Sequence, residues 1–408
     1  MDFGIVELAP DVIAFWDTEV VPFMEEFLSD EVLEQERHHG NGFVPEYRRA
    51  LGAKGWLANA TSNGDDDTVG LDPLRAAIVA AEESRRARSL FPVLGSNDLV
   101  TTVVNQFGSA ELREHIGPGL RRGDIHCCLG YTEPDCGSDA AAIRTRAIRD
   151  GDEWVINGQK MFSTGAHLCQ YVMVTARTNP DASKHQSITV LLVPLEHPGV
   201  EVQGIATLGG ERTNFVYLDE ARVADEYRLG PVDQGWQVAS GSLAAEHGMS
   251  DGSATHSDVD QTTVDVIEAL GRSLSWRDEF PVVLAAAERW ARNAQRRDRS
   301  YEIDDPAVRL RLARIALDCE VARITPDPYG RVVASDLLIR GTDELLAMIG
   351  AAGVVTAGED GAVADGVLEW AHRFAQGTSI YGGTTDIQRN LIAEHVLGLP
   401  RHRGALKR

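Results

Sequence analysis

A chain of 408 residues, 43% hydrophobic and 25% charged, has the composition of a globular protein with room for two or three domains. A net charge of −23 speaks against nucleic acid and anionic membrane surfaces as partners, and no apolar run approaches the roughly 18 residues of a membrane span. No basic segment followed by an apolar one opens the sequence, so no secretory signal is expected; the five cysteines (Cys127, Cys128, Cys136, Cys169, Cys319) have no Cys-x-x-Cys spacing and read as reduced thiols of a cytoplasmic protein.

Residues 1 to about 120 read as helical. Val12, Phe15 and Trp16 through Phe23, Met24, Phe27 and Leu28 recur at helical spacing. Phe43, Tyr47 and Leu51 begin a second helix, closed by Gly55. Asp72-Pro73 pairs an N-cap acceptor with a first-turn proline and opens a helix to about Ala87. Leu99 to Phe107 and Ala110 to Leu120 read as two more. His38 and His39 are adjacent, share no helix face and suggest no metal site. This stretch shows packing and no chemistry.

From about 124 to 232 the pattern turns to strands, clearest at Tyr171–Ala176, Ile188–Val193 and Phe215–Leu218, as in a small β-barrel-like domain. It carries two pieces of interest. In Tyr131-Thr132-Glu133-Pro134-Asp135-Cys136-Gly137-Ser138-Asp139, Pro134 and Gly137 predict a turn. Thr132, Ser138 and the amides near Gly137 are small donors suited to a polar ligand such as a pyrophosphate. In Trp154 to Gly165, Asn157-Gly158 predicts a hairpin turn. Phe162, Ser163 and Thr164 supply an aromatic face and two hydroxyls for a flat heteroaromatic ring. Each piece alone is also what a surface turn and an ordinary hairpin look like.

From Gly235 the pattern is helical again. One helix carries Trp236, Val238, Leu243 and Glu246 and breaks at Gly248. Others are expected over Val282–Arg297, Ala307–Ile324 and Ser335–Met348. The last begins near Thr385, where Thr385 and Gln388 have capping-box spacing, and it ends by Leu399-Pro400. Domain boundaries are expected near 122 and 232, giving segments 1–122, 123–232 and 233–408.

Together, in this order, the two pieces resemble the flavin-binding β-domain of the acyl-CoA dehydrogenases, which has Thr-Glu-Pro, Gly-Ser-Asp, Ile-Asn-Gly-x-Lys and an aromatic-x-Thr. Ile380-Tyr381-Gly382-Gly383-Thr384-Thr385-Asp386-Ile387-Gln388-Arg389 resembles that family's C-terminal Tyr-Glu-Gly-Thr-x-x-Ile-Gln-Arg. The resemblance covers most of the chain. It implies a mostly α fold with a central β-domain: an N-terminal helical domain, a β-barrel-like domain and a C-terminal four-helix bundle. It implies FAD as cofactor, held by Tyr131, Thr132, Gly137, Ser138, Phe162, Ser163, Thr164, Thr384 and Asp386, and an acyl-CoA as substrate. The family removes the proton α to the thioester while the β-hydrogen leaves as hydride to the flavin. Such a site needs a carboxylate base and donors at the carbonyl oxygen.

Two departures stand out. The family's usual base, the glutamate of Tyr-Glu-Gly-Thr, falls on Gly382. A subset of the family carries its base on the helix after the β-domain, and counting from Gly235 that position is Glu246. A carboxylate on that small, apolar face is expected to have a raised pKa on desolvation. The family often has Arg after this glutamate; here it is His247. Gly382 keeps the backbone N–H that the family aims at the thioester carbonyl, and its missing side chain leaves volume for a bulky acyl group. The second departure lies in Arg297–Asp305, where no Arg-x-x-Phe-Gly completes a neighbour's ADP site, and in Met348-Ile349-Gly350-Ala351-Ala352-Gly353, which has alanine where a second glycine is usual. The pattern is similar to heterotetrameric steroid-CoA dehydrogenases. It implies one subunit of an α2β2 enzyme with a second acyl-CoA dehydrogenase-like subunit, and an electron-transferring flavoprotein as acceptor. The alternatives are a non-catalytic structural subunit of such a complex, and a same-fold flavin oxidase or monooxygenase.

Overall fold

The computed structural model describes residues 9–39, 43–57, 70–86, 91–246, 279–326 and 328–400. Their contacts divide them into two units, one reaching to Glu246 and one from Glu279 onward.

The first unit opens with α1 (Pro10–Phe15), which runs through a π turn into α2 (Val21–Phe27), then α3 (Asp30–His39), α4 (Pro45–Ala53) and α5 (Pro73–Arg86). Phe15, Phe23, Met24, Tyr47, Leu51 and Ile78 meet in one core, as the spacing of the first fifty residues predicts. The helix expected from Leu99 starts earlier, as α6 (Phe91–Phe107). In α7 (Ala110–Arg122) the Ser109 hydroxyl accepts from the Leu112 amide at 3.0 Å, a side-chain N-cap. Gly123 ends α7 at φ +70°, and a Cβ there would lie 2.4 Å from the Arg48 carbonyl oxygen, so only glycine fits. A polar cluster sits where α4, α5 and α6 meet: Arg48, almost fully buried, pairs with Asp98. Burial pushes the nearby Glu83 carboxyl up to about 7, against the pull of Arg48.

The sheet contains β1 (Cys127–Gly130), β2 (Arg146–Asp150), β3 (Glu153–Lys160), β4 (Tyr171–Arg177), β5 (Ile188–Pro194), β6 (Val200–Ala206), β7 (Arg212–Ala224) and β8 (Arg228–Leu229). Their order is β6-β7-β3-β2-β4-β5-β8, with β1 parallel to β4. β4 and β5 are mostly apolar because both faces are covered. Met173, Val190 and Leu192 face α6, α7 and Val238; Val172, Val174, Leu191 and Val193 face Trp154, Ile156, Val216 and Leu218. After β8, α8 (Gly235–Glu246) begins on β5: a Cβ at Gly235 would stand 2.8 Å from backbone atoms of Ile188 and Thr189.

Asn157-Gly158 is not a hairpin turn. It lies inside β3, and the β2–β3 turn falls at Asp150–Glu153, with Gly151 at φ +64°. The pair forms a bulge against β7, where the register shifts between Ile156 and Gly158. The Asn157 side chain accepts from the Glu220 amide at 3.0 Å. Gly158, at φ +153°, lets the Thr145 side chain approach to where a Cβ would be 2.5 Å from its oxygen. Positive-φ preference is common to turns and bulges, so the dipeptide alone does not separate them.

The second unit is a bundle of α9 (Glu279–Asn293), α10 (Pro306–Ile324), α11 (Tyr329–Ile349) and α12 (Val367–Thr378). Phe280, Ala287, Leu312, Ile315, Leu338, Leu368 and Ala371 form its core. α9 stops four residues before the expected Arg297, α11 starts six before the expected Ser335, and α12 has no counterpart in the sequence reading. The final helix, α13 (Thr385–Leu391), is capped by Thr384, whose hydroxyl accepts from the Ile387 amide at 3.2 Å. The expected Thr385/Gln388 capping box does not form, because the Gln388 side chain bonds the Gly382 carbonyl instead. Among the described residues, no helix is long and apolar enough to cross a membrane, and no group of three or more His, Cys, Asp or Glu side chains could hold a metal.

Candidate active site

The two pieces singled out in the β-domain are fastened together. β1 ends at Gly130 and the chain turns through Tyr131 and Thr132; the Thr132 carbonyl accepts from the Met161 amide at 2.9 Å, just past β3. Beneath this contact, Lys160 is fully buried and its Nζ lies 2.7 Å from Glu133 Oε1. Lys160 also reaches the Thr175 hydroxyl at 3.3 Å and the Tyr131 carbonyl at 3.4 Å. Glu133 further accepts from the amides of Arg144 (2.6 Å) and Thr145 (3.1 Å). Burial alone would raise the Glu133 carboxyl, but the Lys160 charge and these donors outweigh it and hold it below its ordinary value. For Lys160 burial dominates and lowers its pKa, with Glu133 opposing.

The groups expected from the sequence to bind a ligand stand open. Gly137 and Ser138 are exposed, and their amides carry no hydrogen bond to any described residue. Phe162 takes φ +59°, a left-handed conformation that a bulky residue rarely adopts, and the residue is 55% exposed. The backbone on either side is pinned: Met161 N–H to Thr132, and Ser163 N–H to the Asn214 carbonyl at 3.0 Å. Asn214 Nδ2 donates back to the Ser163 carbonyl at 2.9 Å. The Ser163 hydroxyl is buried without a partner among the described residues, and the Thr164 hydroxyl is half-buried, 3.4 Å from Thr213. An exposed aromatic residue, free amides and adjacent hydroxyls are a set that fits a flavin nucleotide. Burial lowers the neighbouring His167 to about 4, so it stays neutral.

Glu246 is the last residue of α8. The eleven residues before it, from Gly235, contain no ionisable side chain. With Gly235 wedged on β5, the helix rise carries Glu246 about 16 Å from that anchor. Its side chain, and His247 and Gly248 after it, lie outside the described residues.

In the second unit, Gly382 and Gly383 are both left-handed, at φ +58° and +79°. Three successive carbonyls of this loop are held from behind. Arg331 Nη2 donates to Tyr381 O at 2.5 Å and to Gly383 O at 3.3 Å, and Gln388 Nε2 donates to Gly382 O at 3.3 Å. The amides of Gly382, Gly383 and Thr384 carry no hydrogen bond to any described residue. Thr384 caps α13; Asp386 faces solvent and pairs with Arg389 at 3.2 Å. Arg297–Asp305 is a closed turn: Gln295 bridges Tyr301, and Arg296 is held by Asp305 at 2.5 Å.

Family models match in order along the chain: the acyl-CoA dehydrogenase N-terminal domain over residues 14–124, the middle domain over 128–220 and the C-terminal domain over 329–397. The acyl-CoA dehydrogenase IpdE1 of Mycobacterium tuberculosis is 33% identical over 322 residues, 74% of each chain. The chain belongs to the acyl-CoA dehydrogenase family. It is an oxidoreductase acting on acyl-CoA, and its cofactor is FAD. Two solved structures share its fold with a TM-score of 0.76 and 25% identity, each covering 97% of this chain and 99% of the other. One is described as the Tcur3481-Tcur3483 steroid ACAD, the other as the ChsE4-ChsE5 complex from Mycobacterium tuberculosis.

The β-domain motifs of this acyl-CoA dehydrogenase were visible as sequence. The Glu133–Lys160 pair beneath them was present in the same motifs but carries no signal of pairing at a separation of 27 residues. Asn214, Arg331 and Gln388 act on backbone carbonyls, which sequence pattern does not reveal.

Proposed function

We propose that this chain catalyses α,β-dehydrogenation of a bulky acyl-CoA, a steroid side-chain or branched thioester, as one subunit of an α2β2 complex with a second acyl-CoA dehydrogenase-like subunit. FAD, when bound, would supply the hydride acceptor for the β-hydrogen. Glu246 removes the α-proton, and the Gly382 N–H holds the thioester oxygen as it gains charge. Thr132, Gly137, Ser138, Phe162, Ser163, Thr164 and Tyr131 are the proposed flavin-holding residues, and Thr384 and Asp386 are proposed flavin contacts as well. An electron-transferring flavoprotein is the proposed acceptor, and the cytoplasm the proposed location.

The observation that carries this reading is Gly382: no carboxylate at the usual base position, yet an amide there that is free and presented by a buttressed loop. The steroid ACAD and the ChsE4-ChsE5 complex support the substrate class and the second subunit as analogies. A further support is α10, which is apolar on two opposite sides. Val308, Leu312, Ile315 and Cys319 are buried in the bundle, while Leu310, Leu317, Val321 and Ile324 form an exposed stripe, Leu317 at 64%. Such a stripe suits a helical partner surface.

The test is flavin content and turnover of the chain expressed alone and with a second acyl-CoA dehydrogenase subunit. Flavin and activity only on co-expression support the α2β2 reading. A fully loaded, active homo-oligomer of this chain alone contradicts it.

A further inference from the structure

The Gly382 loop rests on two side chains that the reaction itself does not call for. Arg331 stands in the first turn of α11, and Ser335 and Asp336, one turn on, fasten the flanking helices. The Ser335 hydroxyl meets the Thr378 hydroxyl at 2.8 Å, and Asp336 pairs with Arg389 at 2.5 Å. The first two turns of α11 therefore hold the end of α12, the loop and α13.

In a trans peptide the C=O of one residue and the N–H of the next point in opposite directions within one plane. The Tyr381 carbonyl and the Gly382 N–H share such a plane. With Tyr381 O held at 2.5 Å by the Arg331 guanidinium, the Gly382 N–H must point away from Arg331. The same guanidinium nitrogen holds Gly383 O, which turns the Thr384 N–H outward; Gln388, fully buried, holds Gly382 O and turns the Gly383 N–H outward. Two consecutive glycines tolerate the positive φ values that this arrangement needs. A charged donor on a carbonyl also polarises the amide, so that its N–H becomes a stronger donor.

We infer that Arg331 is a positioning residue for thioester activation: by gripping the Tyr381 carbonyl it aims and polarises the Gly382 N–H, and by gripping the Gly383 carbonyl it fixes the far end of the loop. Gln388 fixes the peptide between them. The inference rests on the proposed role of Gly382 and deepens it. It identifies a cationic group, on a different helix from the loop, that acts on the substrate carbonyl through one peptide unit.

The experiment is isotope-edited infrared spectroscopy of the flavin-loaded holoenzyme with a steroid side-chain enoyl-CoA labelled with 13C at the thioester carbonyl. In the wild-type enzyme the bound C=O stretch is expected at lower frequency than in free solution. In Arg331→Met most of that shift is lost, with kcat down by about tenfold to a hundredfold and KM little changed. Arg331→Lys keeps the charge and one of the two bonds, so it is expected to fold, load flavin and retain part of the shift. A wild-type shift that survives unchanged in flavin-loaded Arg331→Met or Arg331→Lys overturns the inference and leaves Gly382 in place. No shift in the wild type overturns the Gly382 reading, and the inference with it.

Discussion

The Lys160 ammonium lies 2.7 Å from the Glu133 carboxylate, both side chains almost wholly out of solvent, directly below the contact that joins the two flavin motifs. Removing one partner of a buried pair leaves an uncompensated charge, which costs about 3–5 kcal/mol. Lys160→Met is therefore expected to lower stability by that amount in urea denaturation and to reduce flavin content. Replacing both residues with apolar ones of similar size is expected to restore most of the stability. A loss of stability in the double variant equal to the sum of the losses in Lys160→Met and the corresponding single change at Glu133 would show that the pair is not coupled.

Phe162 carries backbone strain at a position where the residue is exposed. In Phe162→Gly the relief of left-handed strain, about 1–2 kcal/mol, is opposed by the added freedom of the unfolded chain. The melting temperature of the flavin-free protein should change little while flavin affinity falls. A loss of stability with flavin affinity intact would make Phe162 a packing residue.

The bulge at Gly158 leaves no room for a side chain, since a Cβ would stand 2.7 Å from Thr145 Cα, a backbone atom. Gly158→Ala is expected to cost about 1–3 kcal/mol, measured by thermal unfolding. This is also where the sequence misleads. Asn-Gly encodes a positive-φ backbone, and whether that becomes a hairpin turn or a bulge depends on β7, whose pairing partner lies some sixty residues away.

The strands with both faces buried and the helices with one apolar side were legible from period alone, as in β5 and the helix begun by Tyr47 and Leu51. The motifs of the flavin loop were legible as a family pattern. What was not legible is what holds them: Arg331 on the Gly382 loop, Asn214 on Ser163, Lys160 under Tyr131. Each acts across more than 25 residues on a backbone atom or a buried charge. α12 was missed because Gly366 and a kinked turn precede it, with Ala364 and Asp365 at positive φ and no N-cap side-chain bond.

Glu83 gives the pH dependence. Its carboxyl is pushed from an ordinary 4.5 up to about 7 in the folded protein, so the folded state binds the proton more tightly than the unfolded one. Stability from this group is present below the unfolded value and is lost as pH rises through the folded one. Glu83→Gln should flatten the fall in stability between about pH 4.5 and 7, as followed by denaturation at stepped pH. An unchanged slope would place Glu83 outside that transition.

The most direct measurement is the rate of flavin reduction when the loaded enzyme and its Glu246→Gln variant are mixed anaerobically with a steroid side-chain acyl-CoA. With equal flavin content and equal substrate binding, loss of the base is expected to slow reduction by about 10²–10⁴-fold. A Glu246→Gln variant that reduces its flavin at the wild-type rate would contradict the assignment and place the base elsewhere.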